Sequence, residues 1–295
     1  MDKILTVFTP AYNRAYTLHK CYESLTRQTN KNFKWMIIDD GSTDNTANLV
    51  AKWKEESDFE IIYIYKQNRG MHTAHNTAYE NIDTELNVCI DSDDYLTDDA
   101  VEIIVTEWEK IRSEKLAGLG ALNIFESGEI IGNKFPENVK KAKYFDIYNK
   151  YGVVGDKKFI YRTELIKNFP YPEYEGEKYV GLDYKYKKLD EEYELALINK
   201  VVCVVEYMED GSSKNMLRQY RNNPRGWCFF RVENLKIPNT SLKFKFKESI
   251  HYVSSSLMIK DNNLFEMTPY KALAVLAFPL GYLLKAYIVS KTNKI

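Results

Sequence analysis

Leu86-Asn87-Val88-Cys89-Ile90-Asp91-Ser92-Asp93-Asp94 is the stretch on which the reading of this chain turns. Its first five residues form a short, mostly apolar run of the kind that makes a buried strand. Thr97-Asp98-Asp99, just beyond, predicts a helix start with a capping threonine and an acidic first turn. Three carboxylates are thus delivered at the carboxyl end of a strand, where open α/β sheets bind ligands. Clustered carboxylates repel one another, and a hard divalent cation relieves that repulsion. Mg²⁺ takes one or two protein carboxylates and completes its shell with water and phosphate oxygens. A solvated acidic turn is the competing reading, since Asp and Ser are ordinary turn residues.

Upstream, strand-like and helix-like stretches alternate. Ile4-Leu5-Thr6-Val7-Phe8-Thr9 reads as a strand and leads into Pro10-Ala11-Tyr12-Asn13-Arg14; Leu18, Cys21, Tyr22 and Leu25 then recur at helical spacing. Trp35-Met36-Ile37-Ile38 is a second strand, ending in Asp39-Asp40-Gly41-Ser42-Thr43-Asp44. Ala47, Val50 and Trp53 mark the inner face of the next helix. Phe59 to Tyr65 leads into Lys66-Gln67-Asn68-Arg69-Gly70 and a polar helix with His72, His75 and Asn76. Three such units before residue 90 predict a parallel sheet with helical crossovers.

These turns, taken together, resemble those of glycosyltransferase family 2, inverting enzymes of the GT-A fold that use nucleotide-diphosphate sugars. The resemblance rests on Thr9-Pro10-Ala11-Tyr12-Asn13, Gln28-Thr29, Ile38-Asp39-Asp40-Gly41-Ser42-Thr43-Asp44, Asn68-Arg69-Gly70 and Asp91-Ser92-Asp93-Asp94, in the family's order. It is strong over roughly the first 110 residues and weak over 150–215. It implies an α/β GT-A fold, with a Rossmann-like, mostly parallel central sheet and flanking helices. It also implies Mg²⁺ or Mn²⁺ as cofactor and transferase chemistry of the hexosyltransferase class.

The resemblance carries nucleotide-sugar binding to Thr9, Pro10, Tyr12, Asp39, Asn68, Gly70, His72, His75, Asp91 and Ser92. Asp39 suits a base N–H and Tyr12 offers an aromatic face. Asp91 maps near the ribose and metal, and Asp93 maps to the principal metal ligand with Asp94 in support. There are departures. Many relatives place an arginine in the helix after the Asn-x-Gly turn, where this chain has His72 and His75. An imidazole can donate to phosphate, and it can equally make a structural hydrogen bond. The acidic residue that often follows Tyr-Asn is absent, Ala15 and Tyr16 standing there.

The acceptor side falls in the middle of the chain. Residues 116–125 read as an inner strand whose small residues allow close backbone approach, and 126–152 as a hairpin and loop excursion. Phe159-Ile160-Tyr161 is a short strand before a helix from Arg162 to Asn168. Pro170 to Glu177 is an acidic, aromatic loop that cannot be helix interior. Gly181-Leu182-Asp183-Tyr184-Lys185-Tyr186 resembles the family's Gly-Glu-Asp-x-x-Leu element, imperfectly, because Leu182 and Tyr186 depart from it. The resemblance makes Asp183 the catalytic base. A base is what inverting transfer needs to take the acceptor's proton, and a helix start favours an ionised carboxylate. A purely capping Asp183 is the alternative; Glu177 and Glu175 are the reserve candidates. Leu195 to Tyr207 reads as a strand and Glu209-Asp210-Gly211-Ser212-Ser213 as a turn. Arg218, Arg221, Arg225 and Arg231 follow in a helical stretch broken at Pro224. These arginines suit donor or lipid phosphate, or a solvated basic face.

The 295 residues suit one large α/β domain with an appendage. Residues 1–215 are expected to form the catalytic domain, with a nucleotide-sugar half (1–110) and an acceptor half (111–215), and 216–295 a basic helical region. The first strand starts almost at Met1, so no N-terminal signal is expected. Cys21, Cys89, Cys203 and Cys228 lack zinc-ligand spacing and read as reduced structural thiols.

The net charge of −1 hides a split: residues 1–210 carry 27 Lys/Arg against 38 Asp/Glu, and 211–295 carry 14 against 4. No nucleic-acid motif accompanies the basic end. The same segment holds an apolar stretch from Ala272 to Leu284, within an anchor at 272–289. Lys271, Lys285, Lys291 and Lys294 flank or interrupt it. The stretch falls short of a span, and Pro279 and Gly281 are expected to break it. An interfacial or re-entrant anchor on an anionic membrane fits; a packed terminal helix or an oligomer contact is the alternative.

The leading reading is a metal-dependent transferase moving a sugar from a nucleotide diphosphate to a glycan or polyprenyl-linked saccharide in surface polysaccharide synthesis. UDP is the expected nucleotide, with dTDP and GDP open. The enzyme is expected in the bacterial cytoplasm, peripheral on the inner membrane face. A non-catalytic GT-A subunit that binds sugar nucleotide or a partner transferase is the alternative. A haloacid-dehalogenase-type phosphatase, suggested by the Asp91-x-Asp93 spacing, leaves the preceding 90 residues unexplained.

Overall fold

The computed structural model describes residues 3–207, 215–259 and 263–292. The turn read at 209–213 lies outside them. The chain forms two compact units, residues 1–170 with 188–208, and residues 171–187 with 209–295.

The first unit begins β1 (Leu5–Ala11), α1 (Leu18–Thr26), β2 (Phe33–Asp39), α2 (Thr46–Glu56), β3 (Glu60–Tyr65), α3 (Met71–Asn81), β4 (Leu86–Cys89). It continues through β5 (Tyr95–Leu96), α4 (Ala100–Ile111), β6 (Leu116–Ile124), β7 (Lys141–Ala142), α5 (Tyr144–Asn149), β8 (Lys157–Arg162) and α6 (Thr163–Ile166). After α7 (Tyr184–Leu189), β9 (Glu194–Val204) completes the sheet. The strand order is β3-β2-β1-β4-β8-β6-β9-β5, with β7 on β9. β1 pairs parallel with β2 and β4, β2 with β3, and β6 with β9. β8 enters antiparallel between β4 and β6. The expected α/β sheet with flanking helices is present; it is mixed rather than mostly parallel, because β5, β7 and β8 pair antiparallel.

Register places the loops. Ala11 pairs with Asp39 and Asp39 with Tyr65, so β1, β2 and β3 end side by side. The turns after them, and the one after β4, therefore share the carboxyl edge of the sheet. The strands read as apolar runs because both faces are covered: Leu5, Val7, Phe8, Trp35, Ile37, Ile38, Leu86 and Val88 are buried. Close approach at β6 is real: a Cβ on Gly118 would lie 1.9 Å from the Ile160 carbonyl oxygen.

Some local expectations need correction. The N-cap of α4 is Asp99, without a side-chain cap, and Glu102 is the acidic residue of its first turn. Thr97 is instead tied by its N–H to the Val202 carbonyl at 3.1 Å, so sheet pairing outweighs capping there. Thr46, rather than the exposed Ala47, joins Val50 and Trp53 on the inner face of α2.

The second unit contains residues 171–187 and α8 (Met216–Asn222), α9 (Pro224–Lys236), α10 (Leu242–Ser256) and α11 (Lys271–Thr292). Pro224 opens α9, where its missing N–H costs nothing. Cys228, Val232, Tyr252, Val253, Ala274 and Ala277 form its buried cluster. The expected break in the tail does not occur. α11 is one 22-residue helix with Pro279 inside it, long and apolar enough to cross a membrane by length and composition. Gly281 is a packing residue, since a Cβ there would lie 2.5 Å from Val253 Cγ1. Close packing on α10 through small side chains holds the helix together past the proline.

Candidate active site

The first loop and the Asp39–Asp44 turn are stitched together by their own polar groups. Asn13, at φ +53°, donates its N–H to Ser42 Oγ at 2.8 Å and accepts from the Thr43 N–H through Oδ1 at 2.8 Å. The Ala15 N–H donates to Asp44 Oδ2 at 3.0 Å. Asp39 Oδ1 accepts the Ser42 N–H at 2.7 Å and Oδ2 accepts the Tyr63 hydroxyl at 2.5 Å. Burial, then this bond to Asp39, raises the Tyr63 pKa. Asp39 is only 1% exposed, so its carboxylate shapes the turn. Tyr12 is 49% exposed at the same edge and presents a ring. The Thr9 hydroxyl accepts from Trp35 Nε1 at 3.0 Å inside the core, and Pro10 is buried beside it.

Asp40 ties the next loop to this turn. It accepts the Arg69 N–H at 3.0 Å, the Gly70 N–H at 2.7 Å and Lys66 Nζ at 2.5 Å. Lys66 also reaches Thr73 Oγ1 at 2.7 Å. Gly41 (φ +85°) is required here: a Cβ would meet the Asn68 nitrogen at 2.8 Å. Gly70, at φ +96°, precedes α3. His72 and His75 lie on the buried face of that helix. His75 packs edge-on against Phe8, at 5.0 Å between ring centroids, and Nε2 lies 3.7 Å from Cys89 Sγ. The structure places both imidazoles in the interior.

In the tetrad, exposure separates the roles. Asp91 is exposed, Asp93 half-buried, and Ser92 and Asp94 buried. The Asp94 N–H donates to the Asp91 carbonyl at 3.0 Å, closing the turn. The Cys21 thiol donates to the Asp94 carbonyl from beneath at 2.9 Å. Asp94 Oδ1 accepts the Glu206 N–H at 3.2 Å, and Oδ2 lies 3.6 Å from Lys158 Nζ. Burial pushes the Asp94 carboxyl up to about 7; Lys158 opposes this, and the charges of Asp91 and Asp93 add to it. Asp94 thus supports the turn, while Asp91 is exposed and Asp93 half-buried. Among the described residues no three His, Cys, Asp or Glu side chains gather into a metal cage. The carboxylates of the exposed Asp91 and the half-buried Asp93 nevertheless fit Mg²⁺ or Mn²⁺, which here would share the ligand set with phosphate oxygens and water.

In the second unit, Asp183 immediately precedes α7, its carbonyl accepting the Lys187 N–H at 3.1 Å. Its Oδ2 lies 2.7 Å from Lys187 Nζ. Glu177 accepts the backbone N–H groups of Arg225 and Gly226, each at 2.9 Å. It is a remote cap for α9, with a backbone N–H on each carboxylate oxygen, which gives it a structural role. Of the arginines, Arg231 is internal, paired with Glu248, and Arg221 bonds Thr292 Oγ1 at 3.0 Å. Sequence reading passed over Asp40, Tyr63, Lys66 and Lys158. Only Asp40 stood in a motif; the carboxylates the others pair with are at least 24 positions away.

Residues 6–169 match the profile of the family described as "Glycosyl transferase family 2". "Glycosyltransferase GlyA" of Streptococcus pneumoniae is 30% identical over 169 residues, covering 57% of this chain and 23% of that protein. "Chondroitin synthase" of Escherichia coli is 31% identical over 132 residues, covering 45% of this chain and 19% of that protein. The matches thus span a quarter or less of these relatives' own length. S. aureus TarS 1-349 in complex with UDP-GlcNAc superposes with a TM-score of 0.65 at 16% identity, covering 99% of this chain and 92% of that one. A Pyrobaculum calidifontis mannosyltransferase in complex with GDP-Man and Mn²⁺ gives 0.56 at 16% identity, covering 98% and 76%. Those likenesses show the fold. With the profile match over more than half its length and the motif turns gathered at one sheet edge, the chain belongs to glycosyltransferase family 2.

Proposed function

We propose that this enzyme transfers a sugar, with inversion and with the help of a divalent cation, from a nucleotide diphosphate to a glycan or lipid-linked saccharide in surface polysaccharide synthesis. The observation that carries this reading is the division within the tetrad, where Asp94 is buried and held by the Glu206 N–H and Lys158 while Asp91 is exposed and Asp93 half-buried. UDP is the preferred nucleotide. Its support is a similar fold, TarS, in complex with UDP-GlcNAc; GDP is the rival, bound as GDP-Man by the other neighbour. Tyr12 offers the base a face, and Asp39, Asp40 and Lys66 hold the loops that border it. Bound at Asp93 and Asp91, the cation would neutralise charge on the diphosphate. Asp183 is the base. It takes the acceptor hydroxyl proton as the oxygen bonds to the anomeric carbon; the bond from that carbon to the phosphate oxygen breaks and the nucleoside diphosphate leaves.

A thermal-shift panel of nucleotide sugars with and without Mn²⁺, followed by turnover assays on glycoside acceptors, tests the reading. A Mn²⁺-dependent shift with one donor, and transfer from it, supports it. Donor binding without turnover would favour a non-catalytic GT-A subunit.

The second element is the tail. α11 buries only Ala274, Ala277, Gly281 and Ile288, while Leu276 and Leu283 are 67% and 62% exposed, and Val275, Phe278, Leu280, Tyr282 and Tyr287 are also exposed. This apolar outer surface, bordered by lysines, supports association with an anionic membrane at its cytoplasmic face.

A further inference from the structure

A line of buried polar side chains runs through the second unit and ends at Asp183. Lys187 Nζ bonds Asp183 Oδ2 at 2.7 Å and Asn234 Oδ1 at 3.0 Å. Asn234 Nδ2 donates to Glu248 Oε2 at 2.9 Å. Glu248 receives Arg231 NH1 on both oxygens, at 3.0 and 3.2 Å, and Arg231 NH2 reaches the Tyr220 hydroxyl at 3.3 Å. The residues come from α7, α8, α9 and α10. Arg231, Asn234 and Glu248 are all buried. The Phe230 ring has Lys187 Nζ at 4.5 Å from its centroid and the Arg231 guanidinium carbon at 5.2 Å.

Stability is a weak reason for such an arrangement. Burying ion pairs costs desolvation, and apolar replacements of similar volume are often neutral or stabilising. What the chain of bonds achieves is placement. A lysine amine on a four-carbon stem is flexible, yet this one is held from one side by Asn234. The amide of Asn234 has only one useful orientation, because its oxygen must face Lys187 and its nitrogen Glu248. Glu248 is in turn fixed by Arg231. The fixed amine engages Oδ2 of Asp183 and leaves Oδ1 as the oxygen presented for a proton. A six-residue helix such as α7 gives little rigidity of its own.

We propose that Lys187 is a positioning residue for the base, and that Asn234, backed by Glu248 and Arg231, is what positions Lys187. This rests on the reading of Asp183 as base. A base displaced by about 1 Å can lose on the order of 10²-fold in rate, so the relay acts on turnover and leaves the donor site alone.

The test compares Lys187→Met, Lys187→Arg, Asn234→Leu, the Lys187→Met/Asn234→Leu double variant and Asp183→Asn in the full chain. UDP release from UDP-N-acetylglucosamine is followed with p-nitrophenyl glycoside acceptors, and each thermal midpoint is measured. Expected are a fall of about 10–10²-fold in kcat for Lys187→Met and Asn234→Leu at unchanged donor KM. Lys187→Arg should recover part of the loss, and the double variant should be no worse than Lys187→Met. A crystal structure of Asn234→Leu should show the Lys187 amine out of hydrogen-bond reach of Asp183, a readout independent of turnover. An intact Asp183–Lys187 bond in that crystal, or full kcat in a folded Lys187→Met, overturns the proposal. If Asp183→Asn itself retains turnover, the base assignment fails instead, and the crystal structure still decides whether Asn234 places Lys187.

Discussion

Glu177 holds the first turn of α9 by accepting the Gly226 N–H at 2.9 Å, with the Arg225 N–H on its other oxygen. The first N–H groups of a helix have no intrahelical partner, and the Asn223 N-cap supplies no side-chain bond. A carboxylate some fifty residues upstream in sequence does the capping. Glu177→Gln keeps at most one of these bonds and should lower unfolding stability by about 1 kcal/mol, read from a urea midpoint. Turnover should survive. A large loss of kcat with unchanged stability would return Glu177 to the chemistry.

Asp93→Asn should remove the Mn²⁺-dependent part of the thermal shift given by UDP and lower turnover by about 10²–10³-fold, the range for losing one charge-stabilising group. The fold should persist, because the Cys21 thiol and the Asp94 carboxylate hold the turn from inside. A chelator-insensitive wild-type enzyme would refute the metal reading.

Asp39→Ala strands the Tyr63 hydroxyl and the Ser42 N–H and should cost about 1–3 kcal/mol of stability, along with weaker UDP binding. Tyr63→Phe separates the two effects. It deletes one anchor but leaves the carboxylate, so UDP affinity should hold. Equal losses of affinity in both variants would mean that Asp39 works only by shaping the turn.

Leu276→Asp and Leu283→Asp should release the protein from anionic vesicles in a flotation assay while leaving the thermal midpoint unchanged, since both side chains are exposed. Truncating the tail is a poorer test, because Ala274 and Ala277 belong to the buried cluster with Tyr252 and Val253. If instead the variants turn an oligomer into a monomer in sedimentation without affecting vesicle binding, the outer surface of α11 is a subunit contact.

Burial, with Arg231 and Lys247 adding to it and Glu248 opposing it, holds the His251 imidazole down to about 4. The unfolded chain therefore binds its proton first as pH falls. The contribution of His251 to stability is complete above about pH 6.5 and declines as pH drops toward 4. Urea midpoints at pH 7.5 and 5 should differ less in His251→Gln than in the wild-type chain; an identical difference would assign the acid sensitivity to other groups.

Much of the nucleotide half could be read from the chain. Parallel strands covered on both faces appear as continuous apolar runs such as Trp35 to Ile38, and their carboxyl-end turns as clusters of Asp, Gly and Ser. The edge that gathers the turns after β1 to β4 follows from that alternation. What each carboxylate does could not be read. Asp39, Asp40, Asp94 and Glu177 look available in sequence, yet each is spent on a backbone N–H, a lysine or a hydroxyl. Apart from the Ser42 N–H, those partners lie far away in sequence and meet them only through folding. The same holds for Pro279 and Gly281, which local propensity makes helix breakers. Both are helix interior in α11, where Gly281 packs on α10 and Ala274, Ala277 and Ile288 are buried, so tertiary packing outweighs one lost hydrogen bond. The sequence by itself determined the order of the first strands and helices and the turns at the sheet's carboxyl edge, since burial on both faces and turn chemistry are written locally. Only the tertiary structure decided which polar groups are committed inside, because burial and pairing are properties of neighbours that the chain brings together by folding.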